Sequence, residues 1–377
     1  MFWLVESEEQ LEKFYHSGYK EAFVEVIPYN NRIHPTKNEI CAVYIRPLLA
    51  TKGFIIPICH GETLTVDIDN VKHVLDRYNK LYVRDKKEFL HYFPLKTLYD
   101  ITLNSHTYIQ QWTQTHSYFY SKMEEKKDIN KVTRVYNDMS KYESHFHAIN
   151  DEFTYTQYNF KTLTGRPSNK FKGVNYAALN KDNGSRKSFI PSNGTFIEFD
   201  IGAYHPTLLS KLVDYDFGGK DIHMAFAEMY GVDYKKAKEL TFKQLYGGVF
   251  DQYKDLEFFK KVQVYTDELW ARFQNEGYIE CPISKYIFFR DELEDMKPQK
   301  LLNYLLQNLE TSYNVCILWE LLKLLKNTQT KLVLYTYDSF LFDFSENDTG
   351  LLDKIKDIFK QHKLQIKTNY GNTYDFK

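Results

Sequence analysis

Hydrophobic positions in the first hundred residues recur at two different periods. Segments 21–27 (EAFVEVI), 40–48 (ICAVYIRPL), 53–59 (GFIIPIC) and 80–84 (KLYVR) are short and rich in β-branched and aromatic side chains, which predicts strands. Residues 66–81 and 86–93 space their apolar positions three and four apart, which predicts helices. Strands alternating with helices over residues 1–104 imply a small α/β domain. From 105 to 155 the chain turns polar, aromatic and helical in pattern, and one or two exposed helices are expected.

Beyond residue 156 the pattern changes again. A short strand over 196–199 ends in Asp200, and after Gly202 a helix begins at His205-Pro206. A helix over 233–246 is closed by Gly247, and a much longer one spans 299–326. Strands 332–337 and 340–344 then flank Asp338-Ser339, which reads as the tip of a tight hairpin, before a helix over 350–364 and a strand-like tail. Taken alone, Asp338 is a turn residue whose carboxylate bonds nearby backbone N–H groups. Asp200 alters that reading, because it is a second carboxylate at a strand end. Two such acids side by side on one sheet repel unless cations lie between them, which is the arrangement a two-metal site needs. Between them in sequence, Lys238, Phe242 and Tyr246 are spaced to share one helix face. A cation, an aromatic ring and a phenol there suit a triphosphate, a base and a sugar, although an ordinary amphipathic helix has the same pattern.

Composition narrows the class without fixing it. The chain has 377 residues, enough for two or three domains, with 43% hydrophobic and 26% charged residues, as in ordinary globular proteins. It contains no apolar run of about 20 residues and no signal-peptide pattern at its start, so no membrane partner and a cytoplasmic location are expected, the host cytoplasm if the source is viral. Cys41, Cys59, Cys281 and Cys316 lack CxxC spacing and read as reduced and structural. The net charge of -1 argues against a surface coated in nucleic acid, but residues 158–190 carry seven Lys or Arg and one acid, Asp182. Such a stretch suits phosphate backbones or is a solvated loop.

The order of the elements is more specific than any one of them. An acid on a strand, a helix reading Lys-x3-Phe-x3-Tyr-Gly and an acid on a hairpin resemble motifs A, B and C of the family A, polymerase I-like, DNA polymerases. TGRPS (164–168) resembles the family's segment at the primer-template minor groove, RKSFIP (186–191) its basic stretch before motif A, and DIH (221–223) the segment whose His reaches the incoming phosphates. Asn303 and Gln307 resemble its polar pair at the terminal base pair, and NYGNTYDF its C-terminal tail.

The resemblance covers about 156–377. It implies an α+β right-hand fold, with palm and fingers over 156–377, a short thumb over 105–155, and residues 1–104 as a degenerate RNase H-like exonuclease domain. The implied activity is template-directed addition of dNTPs to a primer 3'-hydroxyl by two-metal phosphoryl transfer without proofreading, in a compact polymerase of viral, phage or mobile-element type. Asp200, Asp338 and the Ile201 carbonyl are implied to hold two Mg2+ ions, with Mn2+ a possible substitute. Lys238 is implied in catalysis on the phosphates, His205, His223, Lys235, Phe242 and Tyr246 in nucleotide binding, and Arg166, Arg186, Asn303, Gln307 and Tyr337 in contacts with primer-template DNA. The alternatives are a single-subunit RNA polymerase, a sugar-tolerant polymerase, or an inactive primer-template-binding replisome subunit.

Several positions depart from the family. His205 stands where it has a Glu that narrows the sugar pocket, Tyr234 where it has a basic residue, leaving the γ-phosphate to Lys235 or Lys236, and Tyr337-Asp338-Ser339 where motif C reads His-Asp-Glu. A His205–Tyr246 hydrogen bond is one way to keep the wall of the pocket. In the first domain, FVEVIP offers Glu25 alone where proofreading needs Asp-x-Glu, so no exonuclease is expected. The brevity of the thumb suggests a weak grip on the duplex and a processivity or replisome partner.

Overall fold

The computed structural model describes residues 2–15, 18–30, 35, 38–48, 50, 52–59, 64–83, 85–95, 97–100, 139–140, 153–154, 157–159, 162–170, 175–180 and 182–376. The chain divides into two compact units, one built on an N-terminal sheet and one holding everything from Tyr176 onward together with 138–154 and 158–169. The expected thumb lies outside the described residues, save for two short strands, β7 (Met139–Ser140) and β8 (Phe153–Thr154), which pair antiparallel.

In the first unit the apolar runs fold into a six-stranded sheet. Its strands are β1 (Phe2–Leu4), β2 (Glu21–Pro28), β3 (Ile40–Pro47), β4 (Gly53–Pro57), β5 (Lys80–Val83) and β6 (Leu98–Asp100), in the order β1-β4-β3-β2-β5-β6. β2, β3 and β4 are antiparallel neighbours, while β5 and β6 run parallel to β2. β1 is added parallel to β4 at the edge. The helices α1 (Glu8–Tyr15), α2 (Ile68–Asp76) and α3 (Lys86–Tyr92) accompany it. Asp67 and Asp85 cap α2 and α3, their carboxylates accepting from Asp69 N and Glu88 N. The predicted helix over 66–81 is shorter than expected, because Lys80 and Leu81 pair with Glu21 and Ala22 as strand. Val43, Ile45, Ile56, Val71, Leu75 and Leu81 are fully buried in this unit. Gly53 has a specific role, since a Cβ there would collide with the ring of Tyr44.

The second unit is built on an antiparallel sheet of β14 (Lys331–Thr336), β15 (Ser339–Phe344), β11 (Thr195–Ile201) and β16 (Ile366–Gly371), in that order. Before it in the chain come β9 (Gln157–Asn159) and β10 (Ser168–Lys170), and farther on the small hairpin β12 (Tyr278–Glu280) and β13 (Ile287–Phe289). Alternation gives the sheet two faces. On one, Phe199 and Phe340 receive Phe359 from α9 (Leu351–Gln361), with ring centroids 5.6 and 5.3 Å away. Glu198 and Asp200 lie on the other, where Asp200 stands directly across from Ser339 on one side and Lys367 on the other.

Five helices complete the unit: α4 (Tyr204–Leu212), α5 (Ile222–Tyr230), α6 (Tyr234–Gly247), α7 (Glu257–Glu276) and α8 (Pro298–Leu324). Asp221 and Asp233 cap α5 and α6, accepting from Met224 N and Lys236 N, and Gly231 closes α5 at φ 67°. The longest, α8, packs against α4, α6, α7 and α9, and its buried Leu301, Leu302, Leu305, Leu306 and Leu321 form the central core of the unit.

Candidate active site

Asp200 and Asp338 meet at the open end of the sheet. The Ile201 N–H donates to the Asp338 carbonyl at 2.8 Å, tying the end of β11 to the β14–β15 turn. Asp200 is half-buried and Asp338 exposed, so both carboxylates can be reached from solvent. The hairpin tip is Tyr337-Asp338, one residue earlier than the Asp338-Ser339 tip expected. Ser339 is drawn into the ladder because it pairs with both Thr336 and Asp200. Tyr337 consequently takes φ 51°, and Ala203, just after the other acid, takes φ 48°. Non-glycine residues rarely adopt this conformation, and two of them flanking the paired acids mark backbone held in place by its surroundings.

The restraint comes from α8. Asn303, Gln307, Glu310 and Asn314 are four, three and four residues apart, so they form a polar stripe along the helix. Asn314 Nδ2 donates to the Tyr337 carbonyl at 2.7 Å and to the Tyr335 hydroxyl at 2.8 Å, while its Oδ1 accepts from Tyr204 Oη at 2.9 Å. Gln307 Oε1 accepts from Thr164 Oγ1 at 3.0 Å. Gly165, at φ 71°, lets the Thr-Gly-Arg segment turn so that Arg166 reaches the site. There the Arg166 guanidinium lies 3.8 Å above the Tyr337 ring, and its Nε–H donates to Glu310 Oε1 at 3.1 Å.

His205 and Tyr246 form the expected hydrogen bond, between Nδ1 and Oη at 2.7 Å. The imidazole's other nitrogen, Nε2, lies 2.7 Å from Glu310 Oε2. Because a carboxylate only accepts, Nε2 carries the proton, and Tyr246 donates to Nδ1. The Tyr246 hydroxyl keeps its proton, its pKa pushed up to about 12, chiefly by burial and then by Glu310, with Arg166 opposing and Asp338 adding to the rise. Its ring stacks parallel to Phe242, with centroids 6.1 Å apart.

Lys238 is exposed on the same helix. His223, on α5, is buried with its ring 5.7 Å from Tyr234 and 6.0 Å from Phe242, and its Nδ1 finds no hydrogen-bond partner among the described residues. Burial holds its pKa below the ordinary histidine value, the Lys238 charge adds to the effect, and Asp221 opposes it. Asn303 Oδ1 is likewise buried and unpartnered among the described residues. Lys235 is exposed beside Tyr234 in the first turn of α6.

Arg186 is placed differently from the others. It is buried, its guanidinium donates to the Leu179 carbonyl, and it lies 4.5 Å over the Tyr374 ring. The basic stretch thus contributes a link to the C-terminal tail.

Three site residues escaped the sequence reading. Glu310 and Asn314 continue the spacing begun by Asn303 and Gln307, a signal the sequence carries. Glu198 is buried two residues before Asp200 on the same sheet face, and its oxygens accept from Ser339 Oγ at 2.8 Å and Asn369 Nδ2 at 2.9 Å. An acid from β11 therefore sits beside Ser339, the residue that follows Asp338.

The fold is that of an α+β polymerase domain. The chain is similar to the POL domain of Pol1 from M. smegmatis, solved in complex with DNA primer-template and dNTP, with a TM-score of 0.65, 12% sequence identity and 98% of each chain covered. No family model and no curated protein matches the sequence.

Proposed function

We propose that the protein is a template-directed DNA polymerase that adds dNTPs to a primer 3'-hydroxyl. The observation that carries the reading is the pairing of Asp200 and Asp338 at adjoining strand ends, joined by the 2.8 Å Ile201–Asp338 backbone bond, in a polymerase fold. The Tyr246–His205 bond holds the Lys238–Phe242–Tyr246 helix to the same site.

The donors at the paired acids are all hard oxygens. Magnesium is commonly held through one or two carboxylates plus substrate phosphates, and two accessible aspartates fit that mode. Among the described residues no three His, Cys, Asp or Glu side chains form a ready-made metal cage. Asp200, Asp338 and the Ile201 carbonyl would hold two Mg2+ ions, or Mn2+, which supply Lewis-acid activation of the primer hydroxyl and stabilisation of the leaving pyrophosphate.

Lys238 neutralises the triphosphate and donates a proton to the leaving group. His223, buried and neutral with a free Nδ1 lone pair or N–H, contacts the phosphates beside it. Phe242 packs on the sugar and base, Tyr246 closes the pocket, and Lys235 reaches the outermost phosphate. Arg166, Asn303, Gln307 and Tyr337 contact the primer terminus and template, where minor-groove contacts check pair geometry without reading sequence. The intact wall of His205 and Tyr246 favours DNA over RNA synthesis. Residues 105–155 serve as a thumb and residues 1–104 as a scaffold without excision activity. Among the described residues no helix is long and apolar enough to cross a membrane.

Single-nucleotide extension tests the reading. On four primed templates differing in the first unpaired base, each dNTP is added only opposite its complement, and a mismatched 3' end is not excised. Incorporation independent of the template base would refute the proposal.

A further inference from the structure

We infer that Glu310 is a positioning residue that sets the nucleotide pocket through His205 and Tyr246, and that it governs the choice of deoxyribose over ribose. The inference rests on the polymerase reading of the site. No motif in the chain singles Glu310 out, and it is 2% exposed.

A buried carboxylate is costly unless its charge is balanced and its oxygens are bonded. Glu310 meets both conditions, because Oε1 accepts from Arg166 Nε at 3.1 Å and Oε2 accepts from His205 Nε2 at 2.7 Å. Each bond has a consequence beyond the pair. The first holds the guanidinium that covers Tyr337, the residue before Asp338. The second fixes which imidazole nitrogen carries hydrogen, which leaves Nδ1 as the acceptor for Tyr246 at 2.7 Å. One carboxylate therefore connects the acid-bearing hairpin with the nucleotide-facing helix α6.

This chain commits every donor of the wall it builds. The Tyr246 proton and both ring nitrogens of His205 are engaged with partners, so an added ribose hydroxyl could only donate to the Tyr246 oxygen and would leave its own acceptor sites unpaired on a partly buried surface. The ring stack of Tyr246 on Phe242 restrains its plane, and the hydrogen bond restrains its edge.

Glu310→Gln tests the inference with little change of shape. The amide oxygen can still accept from Arg166, but the amide nitrogen must then donate to His205 Nε2. The imidazole has to move its proton to Nδ1 and reverse the bond to Tyr246. Nitrogen-15 spectra of histidine-labelled protein should show His205 as the Nε2–H tautomer in the wild type and changed in the variant. In parallel, dNTP and rNTP binding are measured with the protein on a chain-terminated primer-template. Preference for dNTP should fall about tenfold or more, the scale of one lost buried hydrogen bond, with the unfolding midpoint checked alongside. Unchanged preference in a folded variant overturns the inference, as does a wild-type His205 protonated at Nδ1 alone. Should the wild type bind no nucleotide, the polymerase reading fails instead, and the tautomer measurement alone decides whether Glu310 controls His205.

Discussion

Asn314 offers a direct measure of how firmly the hairpin that bears Asp338 is held. It is fully buried and makes three side-chain hydrogen bonds, to the Tyr337 carbonyl, the Tyr335 hydroxyl and the Tyr204 hydroxyl. In Asn314→Ala all three are lost. At about 0.5–1.5 kcal/mol each the total is roughly 3 kcal/mol, enough to lower stability markedly without unfolding a domain of ordinary stability. Activity should fall further than that loss implies. Tyr337 holds φ 51°, a conformation costing a non-glycine residue about 1–3 kcal/mol, and its carbonyl is the anchor that Asn314 removes. Freed of it, the turn relaxes and Asp338 leaves its place beside Asp200. The comparison is Leu321→Ala, two turns along the same helix and fully buried, which costs about 2–5 kcal/mol through a cavity alone. Urea unfolding gives the two stabilities, and primer extension at a temperature where both variants remain folded gives the activities. The reasoning is refuted if Asn314→Ala costs under about 0.5 kcal/mol, the scatter of ordinary surface changes, or if the two variants lose activity in equal proportion.

Other consequences follow from single contacts. Phe359→Ala, which removes the ring packed on Phe199 and Phe340, should cost about 3–5 kcal/mol in denaturant unfolding. Lys238→Gln, at an exposed position, should change stability by less than about 0.5 kcal/mol yet lower kcat/KM for nucleotide addition about tenfold or more, as loss of a phosphate contact requires. His223 sets a pH dependence. Its folded pKa lies below the ordinary value of 6.5, so near pH 6 the unfolded chain binds a proton the folded chain refuses. Stability is therefore fully present above pH 6.5 and declines as the pH falls below it. His223→Gln should flatten that limb in unfolding titrations between pH 5 and about 7.5, a range set around the ordinary histidine pKa.

Much of the scaffold was legible because it depends on local pattern. The helices over 233–246 and 299–326 appear as Tyr234–Gly247 and Pro298–Leu324, and the strands carrying both acids stand within a residue or two of their expected bounds. Cap residues and period-two or period-four spacing act over a few positions, so the sequence displays them. Glu310 and Glu198 depend instead on partners 105 and 141 residues away, His205 and Ser339. Only the fold brings those pairs together. The tip of the hairpin lies one residue earlier than the local pattern predicts for a related reason, since the ladder pairing of Ser339 with Asp200 outweighs the local turn preference of Ser. Arg186, implied by the resemblance to contact primer-template DNA, is buried against Tyr374, a placement that its charge does not display in the sequence.

The paired aspartates are the centre of the account, and one experiment addresses them directly. Primer extension with Mg2+ or Mn2+ is compared for the wild type, Asp200→Asn and Asp338→Asn, with equal unfolding midpoints confirming that each variant is folded. Template-directed extension by the wild type and its loss in both variants is the expected result. Equal extension by all three, or none by the wild type with either metal, would contradict the assignment of Asp200 and Asp338 to nucleotide transfer.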